Sequence, residues 1–587
     1  MCKILFSLTI IILLSTKFVC AGQSLEYFSN KVQLKNSGWP VALQWLDSNL
    51  KSIDVNTPLY IQQNELADYY LYAYRIDSGD DENVEAILKA ESNINLSLNL
   101  CGFSSNNRYC SVGLKHSGDT IGDKASRIRY EPKDGVSFHA SSKDISIFSI
   151  SHEIEDFGPL IAIAVSDEPK QDNVPLKIKA KGTENLKQIH LEFEIENTEV
   201  ADFEGKKIES CDINFTGTEP LVCDKLIQVT PYAIGKTKIN FINKSYWIAK
   251  GGNVKNYYTS LKPIQVNVGT LFAGYSRARV YRKGSKPYTI QAFNTSPVRS
   301  IAVDQPSHRL YALLPEALYK QDNVATNQLE LNKKLYIIPR ESGQTLGLTD
   351  VANRVMIGSF DSNFYKVDSV LNGRFGKMSG SIIASSLDKE NNITYFADNT
   401  NGLGIYYSNF EQFGQDTFEA FESCIDSNVY SNMLVAANNN VVYAAVSRTA
   451  GTPTTEPLSK LFAWVNESMV EVKITGENPF TAISYITMLV FHHNRLYAGT
   501  SDGKLYYLNR ENAQFKWQLV ASTNGEIIDS VIDMNGNIYL ANKQNGVWKV
   551  PFNTNGNINP AYKILNYSQD ENSLALTVNT IAIDNNL

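Results

Sequence analysis

Histidine, cysteine, methionine and tryptophan are all scarce, at seven, seven, seven and six of 587 residues. The histidines are His116, His139, His152, His190, His308, His492 and His493. None forms the His-x-x-x-His or His-Glu-x-x-His spacing that puts two ring nitrogens on one helix face for zinc. The adjacent pair His492-His493 sits in a turn before a strand and reads as turn chemistry. A Gly-x-Ser-x-Gly elbow, a phosphate-cradling glycine loop and a dinucleotide fingerprint are all missing. No catalytic, cofactor-binding or metal-ligating residue is therefore assigned, and no cofactor is expected. Basic residues are outnumbered, 54 Lys and Arg against 61 Asp and Glu, for a net charge of −7 and a pI near 5.7. A chain with no basic excess is not expected to take nucleic acid as its partner.

Long apolar runs are missing too, with one exception at the N-terminus. Lys3, the apolar run Ile4–Leu14 and the small-residue site Val19-Cys20-Ala21 have the anatomy of a secretory signal at 1–21, cut before Gly22. The run is about half the length needed to span a bilayer, and no transmembrane segment is expected after it. Cys20 raises lipidation, but Lys17-Phe18-Val19 is a poor match to the sequence such processing favours. Removing the signal leaves five cysteines. Cys101 and Cys110 flank what reads as a hairpin tip, and Cys211 and Cys223 flank a Gly/Pro/Thr-rich loop. In an exported protein two local disulfides are the natural reading, with Cys424 left over. Zinc is the competing reading, but the spacings do not suit paired Cys-x-x-Cys ligands. Asn-x-Ser/Thr sequons at Asn95, Asn214, Asn243, Asn294, Asn392, Asn466 and Asn566 matter only in a glycosylating host.

What the chain has in quantity is a repeat: strand, polar turn, strand with an aromatic residue, turn, strand. Aligned on the second strand, its copies fall at Phe272, Tyr311, Met356, Tyr395, Tyr443, Tyr497 and Tyr539. Third strands are expected at 278–282, 335–338, 364–367, 405–407, 461–465, 505–508 and 547–550. Small residues recur beside the aromatic position, at Ala273, Ala312, Gly358, Ala397, Ala444, Ala498 and Ala541, where neighbouring sheets must approach closely. Unit lengths of about 40–50 residues suit four-stranded propeller blades. The first unit lacks an opening strand, and the last residues, Ile581-Ala582-Ile583-Asp584, supply a strand without a unit. Pairing Thr580–Asp584 with the strand around Phe272 would remove two free sheet edges at once. The expected fold class is all-β, with N-terminal β-sandwich domains followed by a seven-bladed β-propeller closed by its N- and C-terminal strands.

The segment Asp533-Met534-Asn535-Gly536-Asn537-Ile538-Tyr539-Leu540-Ala541-Asn542, with Gly546-Val547-Trp548 after it, resembles the repeats of two-component-regulator propellers. That resemblance covers roughly 271–587 and implies the propeller fold; such propellers serve as sensors, adhesins and enzymes, so it implies no single activity. Asp533, Asn535 and Asn537 also have alternating oxygens that calcium favours. Asx residues in tight turns, here with Asp304, Asp388 and Asp584, are the simpler reading because their side chains bond their own backbone.

Ahead of the repeats, 22–168 reads as a β-rich domain and 174–268 as an immunoglobulin-like sandwich, with the polar stretch Asp167–Asn173 as linker and 269–587 as the propeller. Val41–Leu50, around Trp45, reads as a short helix. The function expected is that of an exported, non-enzymatic recognition protein, secreted or in the periplasm or cell envelope, with a protein or glycan ligand. The alternatives are a glycan lyase or hydrolase with carboxylates converging at the central channel, or an envelope assembly scaffold.

Overall fold

The computed structural model describes strand segments between 41 and 150, nearly all of 152–250 and most of 256–586, with breaks, the longest after 250 being 409–418 and 566–575. The expected signal sequence lies outside the described residues, as do His139, His493 and the sequons at Asn294, Asn392, Asn466 and Asn566. The fold is all-β: no α-helix occurs among the described residues, and Pro169–Asp172 forms a 3₁₀ turn.

The N-terminal unit contains a four-stranded and a five-stranded sheet. Val41–Leu46, expected as helix, is a strand whose register with Leu66–Arg75 runs from Val41↔Arg75 to Leu46↔Tyr70. The ten-residue Tyr-rich partner supplies a continuous ladder, and that pairing outweighs a weak local preference. The disulfide Cys101–Cys110 is present, with Cα atoms 5.6 Å apart. It is not at the tip of a paired hairpin, because Leu100–Phe103 belongs to the five-stranded sheet and Tyr109–His116 to the four-stranded one. The bond ties two sheets together.

The middle unit is held by a core that includes Ile178, Leu186, Ile189, Leu191, Phe193, Ile213, Val229 and Trp247. Leu186–Ile195 shows why: inward and outward residues alternate along it, as period-2 patterning requires of a sheet with one buried face. Cys211–Cys223 closes a local loop here. Strand pairing also fixes the unit's extent. His152–Ile154 pairs with Ala180–Gly182, and Leu160–Ala164 pairs in parallel with Val266–Thr270, so these strands join the middle unit rather than the N-terminal one. The expected linker is equally engaged. Asp172 is fully buried, and its Oδ2 accepts the N–H groups of Val165 and Ser166 at 2.7 and 2.6 Å.

From 264 onward the described residues build seven four-stranded antiparallel arrays. Six are consecutive meanders, beginning with Ser300–Asp304, Gly343–Leu348, Ile382–Asp388, Asn432–Asn438, Ile486–His492 and Ile527–Ile532; they are sheets two to seven. Sheet one is composite. The strand Ile264–Tyr275 pairs through its first half inside the middle unit and through its second half with Val578–Asp584 on one side and Arg279–Arg282 on the other. The register Phe272↔Ala582 is the pairing expected from the repeat pattern. An expected domain boundary at 268/269 thus falls inside one unbroken strand. Gly269 is required at the crossover: a Cβ there would meet the carbonyl oxygen of Asp584 at 2.0 Å.

Expected third strands match the observed ones in six of the arrays. Sheet two differs: its third strand is Ala317–Gln321, and the expected 335–338 lies mostly on its fourth, Lys333–Ile337. A tight turn, with Leu314 donating to the Ala317 carbonyl, leaves too few polar residues to signal a break.

Consecutive sheets pack through shared apolar clusters. Phe272, Ala278 and Ala582 of sheet one meet Ile301, Leu310 and Ala312 of sheet two. Similar clusters join sheets two and three, four and five, five and six, and six and seven. Another brings Tyr539, Ala541 and Val547 of sheet seven against Leu271, Ala273, Ile581 and Ile583 of sheet one. Ala273, Ala312, Ala397, Ala444, Ala498 and Ala541 are all fully buried, in keeping with close approach of the sheets.

Polar side chains on the first strands cross the same junctions. Thr345 bonds Ser385, Ser386 accepts the Ala437 N–H, and Thr487 donates to the Ile527 carbonyl. Asp529 accepts from the Thr580 hydroxyl and the Ile581 N–H, both at 2.9 Å. In five first strands the pairing skips one residue at the same place, leaving Gln344, Ile383, Thr487, Ile528 and Asn579 as bulges. Bulged Asn579 reaches across to the Val298 carbonyl, as Thr487 does to Ile527. The irregularity is part of how sheets are joined.

Candidate functional site

Where the middle unit meets sheet seven, a cleft of about 690 Å³ opens between Gly158–Ile161 and Asn173–Lys177 on one side and the 534–537 hairpin, Lys549, Pro551 and Tyr562 on the other, with Ile264 also lining it. The hairpin is rigid for a reason legible in its sequence. Asp533 Oδ1 accepts the N–H groups of Asn535 and Asn537 at 2.9 Å, and its Oδ2 takes the Asn537 amide and the Tyr539 hydroxyl. Gly536 provides the left-handed step at φ 83°. These donors occupy both Asp533 oxygens, the carboxylate the calcium reading would have used. Asn535 then extends from the tip, and its Nδ2 donates to the Ile161 carbonyl at 2.7 Å.

Behind the hairpin lies a buried charged group that sequence reasoning missed. Lys549 is 4% exposed; its ammonium donates to the Gln171 carbonyl at 3.3 Å and lies 5.8 Å from the centre of the Tyr539 ring. The Tyr562 hydroxyl donates to the same carbonyl at 2.8 Å. Lys283 brings a second ammonium to 3.7 Å from Asp172. Burial raises the Asp172 carboxyl, with Lys549 pulling it back, and burial lowers the Lys549 ammonium against the pull of Asp172 and Asp533. Burial, reinforced by nearby carboxylates, pushes the Tyr562 phenol up to about 12 and Tyr539 well above its usual value. No local motif announces this cluster: Asp172 is one acid in a polar stretch, and Lys549 one base in a strand.

The other sequence-level candidates are dispersed. Asp388 accepts from Asn391 in its own turn and from the Asn440 N–H of the next sheet, and these bonds hold its carboxyl below the usual range despite burial. Asp584 accepts from the Asn586 N–H and bonds His308 Nδ1 at 3.1 Å, linking sheet one to sheet two. Asp304 bonds Ser307. His492 Nε2 bonds Ser530 at 3.1 Å, and His190 bonds Asp212 at 2.8 Å while stacking on Tyr246. Cys424 falls on the strand Glu419–Ile425, with its side chain outside the described residues. The described sequon residues Asn95, Asn214 and Asn243 are exposed.

No family model matches the chain, and no curated protein matches it. Among solved structures, a chain of a nidogen/laminin complex aligns over 53% of this chain and 98% of its own, at 8% identity and a TM-score of 0.32. That similarity is too slight to bear on fold or function.

Proposed function

We propose that the protein is an exported recognition protein, in which 269–586 form a seven-bladed propeller closed by its first and last strands. Support for the ring comes from the cyclic order of the packing, since the strand Val578–Asp584 touches both Ile527–Ile532 and Ser300–Asp304. The middle unit is read as an immunoglobulin-like sandwich fused to the first blade. Two disulfides favour an extracellular or envelope setting, and no helix among the described residues is long and apolar enough to cross a membrane.

The observation that carries the recognition reading is the cleft at the seam. It is preformed, partly apolar, and framed by two units that share a strand, the kind of place where ligands bind. Its charged neighbours are engaged with backbone and with each other, as befits a scaffold for a binding site. An affinity capture with the purified mature protein, run beside a glycan-degradation screen, tests this. A partner retained without turnover is expected. Hydrolysis or cleavage of a polysaccharide or peptide, lost on substitution of one carboxylate, would replace the reading with an enzyme.

A further inference from the structure

Asp172 is an acid shared between two lysines from opposite ends of the repeat region. Lys283, 3.7 Å away, directly follows Arg279–Arg282 of sheet one. Lys549, which pulls on the same carboxyl, lies on Gly546–Val550 of sheet seven. Asp533 acts on Lys549 from the other side, with its own oxygens already taken by the turn. Asp172, Asp533 and Lys549 are buried, and Lys283 nearly so. Two acids and two bases cancel. In a place that excludes water the balance matters, because a buried charge left without its counter-charge is far costlier than the pair.

The segment that carries Asp172 is attached differently on its two sides. Toward sheet one, Leu160–Ala164 forms a parallel ladder with Val266–Thr270, and the Thr270 hydroxyl donates to the Ala164 carbonyl. Toward sheet seven no strand pairing occurs among the described residues. The contacts there are Asn535 on the Ile161 carbonyl, and Lys549 and Tyr562 on the Gln171 carbonyl. Ile163 and Val165 pack with Tyr539, Ala541 and Ile564 beside them. We propose that this segment is a clasp, hinged on sheet one by the ladder and latched on sheet seven by the balanced charges, whose release loosens the joint between the two sheets and the cleft together. The cleft follows because its walls are the two sides of the latch: Gly158–Ile161 and Asn173–Lys177 face the 534–537 hairpin, Lys549 and Tyr562. An ionic latch holds while dry and weakens once water enters, since the attraction falls with the rising dielectric. The hinge is unaffected by that change, so the segment stays with sheet one when the latch opens.

Hydrogen exchange of the full mature protein, read by mass spectrometry, tests the clasp. Asp172→Asn keeps an oxygen for the Val165 and Ser166 N–H groups but leaves the cluster with one positive charge uncancelled. Exchange should rise at least about tenfold in peptides covering 160–166 and 578–584, where the Ile581 N–H reports the joint through its bond to Asp529. Peptides covering 186–195 and 432–446, away from the joint, should keep their wild-type rates. Adding Lys549→Met restores the balance and should return exchange to within about threefold of wild type. An equal rise in all these segments, no rise in Asp172→Asn, or a double variant as fast as the single one overturns the proposal. A partner captured by a protein that fails this test would leave the recognition reading standing.

Discussion

His152 opens the strand that pairs with Ala180–Gly182, its ring 5.9 Å from Trp247 and 5.2 Å from Tyr258 by centroids, with Nδ1 buried and lacking a hydrogen-bond partner. Burial alone lowers its pKa from 6.5 to about 4. The unfolded chain therefore takes up a proton near pH 6.5 while the folded chain refuses it until about pH 4. Stability contributed by the neutral ring is complete above pH 6.5 and is lost as pH falls through that window. At about 1.4 kcal/mol per unit the full difference is about 3 kcal/mol. Part of the residue remains in contact with solvent, and screening reduces the expectation to about 2 kcal/mol. His152→Phe keeps the aromatic packing and removes the titration. Denaturant unfolding at pH 7.0 and 4.5, followed by tryptophan fluorescence, should show the wild type losing about 2 kcal/mol more than the variant on acidification. Parallel losses in the two proteins would refute the argument, as would an imidazole titrating near 6.5 by NMR.

Asp529 should act with the opposite sign: burial outweighs its bonds to Ile581, Thr580 and Ser530 and pushes its carboxyl up to about 6, so protonation favours the folded state as pH falls from 7 to 5. Asp529→Asn should remove that gain, and a variant whose stability follows the wild type across this range would count against it. Removing 578–587 should cost about 5 kcal/mol or more, from Val578, Ile581 and Ile583 alone, and an unchanged melt would contradict the observed pairing. Replacing Cys211 and Cys223 with serine should cost about 2–3 kcal/mol for their 12-residue separation, as read from denaturant midpoints. Gly269→Ala should markedly lower the melting temperature of the whole protein, because its Cβ meets backbone rather than a movable side chain.

The repeat was legible because each copy spends the same residues on the same tasks. An aromatic and an alanine on the second strand, with an Asx turn before them, recur often enough to reveal spacing. The pairing of Thr580–Asp584 was legible too, since an orphan strand and a missing one stood at opposite ends of the pattern. Other features depend on partners that the local sequence does not name. Asp172 looks like any acid in a polar stretch until the N–H groups of Val165 and Ser166 fold over it. Val41–Leu46 is decided by Leu66–Arg75. The short spacing of Cys101 and Cys110 predicts their bond but conceals that they join separate sheets.

The strand Ile264–Tyr275 has a consequence for the order in which the chain can assemble. Its first half finds Gly235–Ile239 within about thirty residues, whereas its second half must wait for Val578–Asp584, about 300 residues later. On a growing chain the middle unit can close while sheet one still shows an open edge along Thr270–Tyr275. That edge includes Leu271 and Phe272 and stays exposed through the synthesis of six further sheets, a long interval in which to mispair or be bound by a chaperone. Folding of the repeat region should therefore be slow and limited by that last long-range pairing, even though most of its contacts lie within neighbouring hairpins.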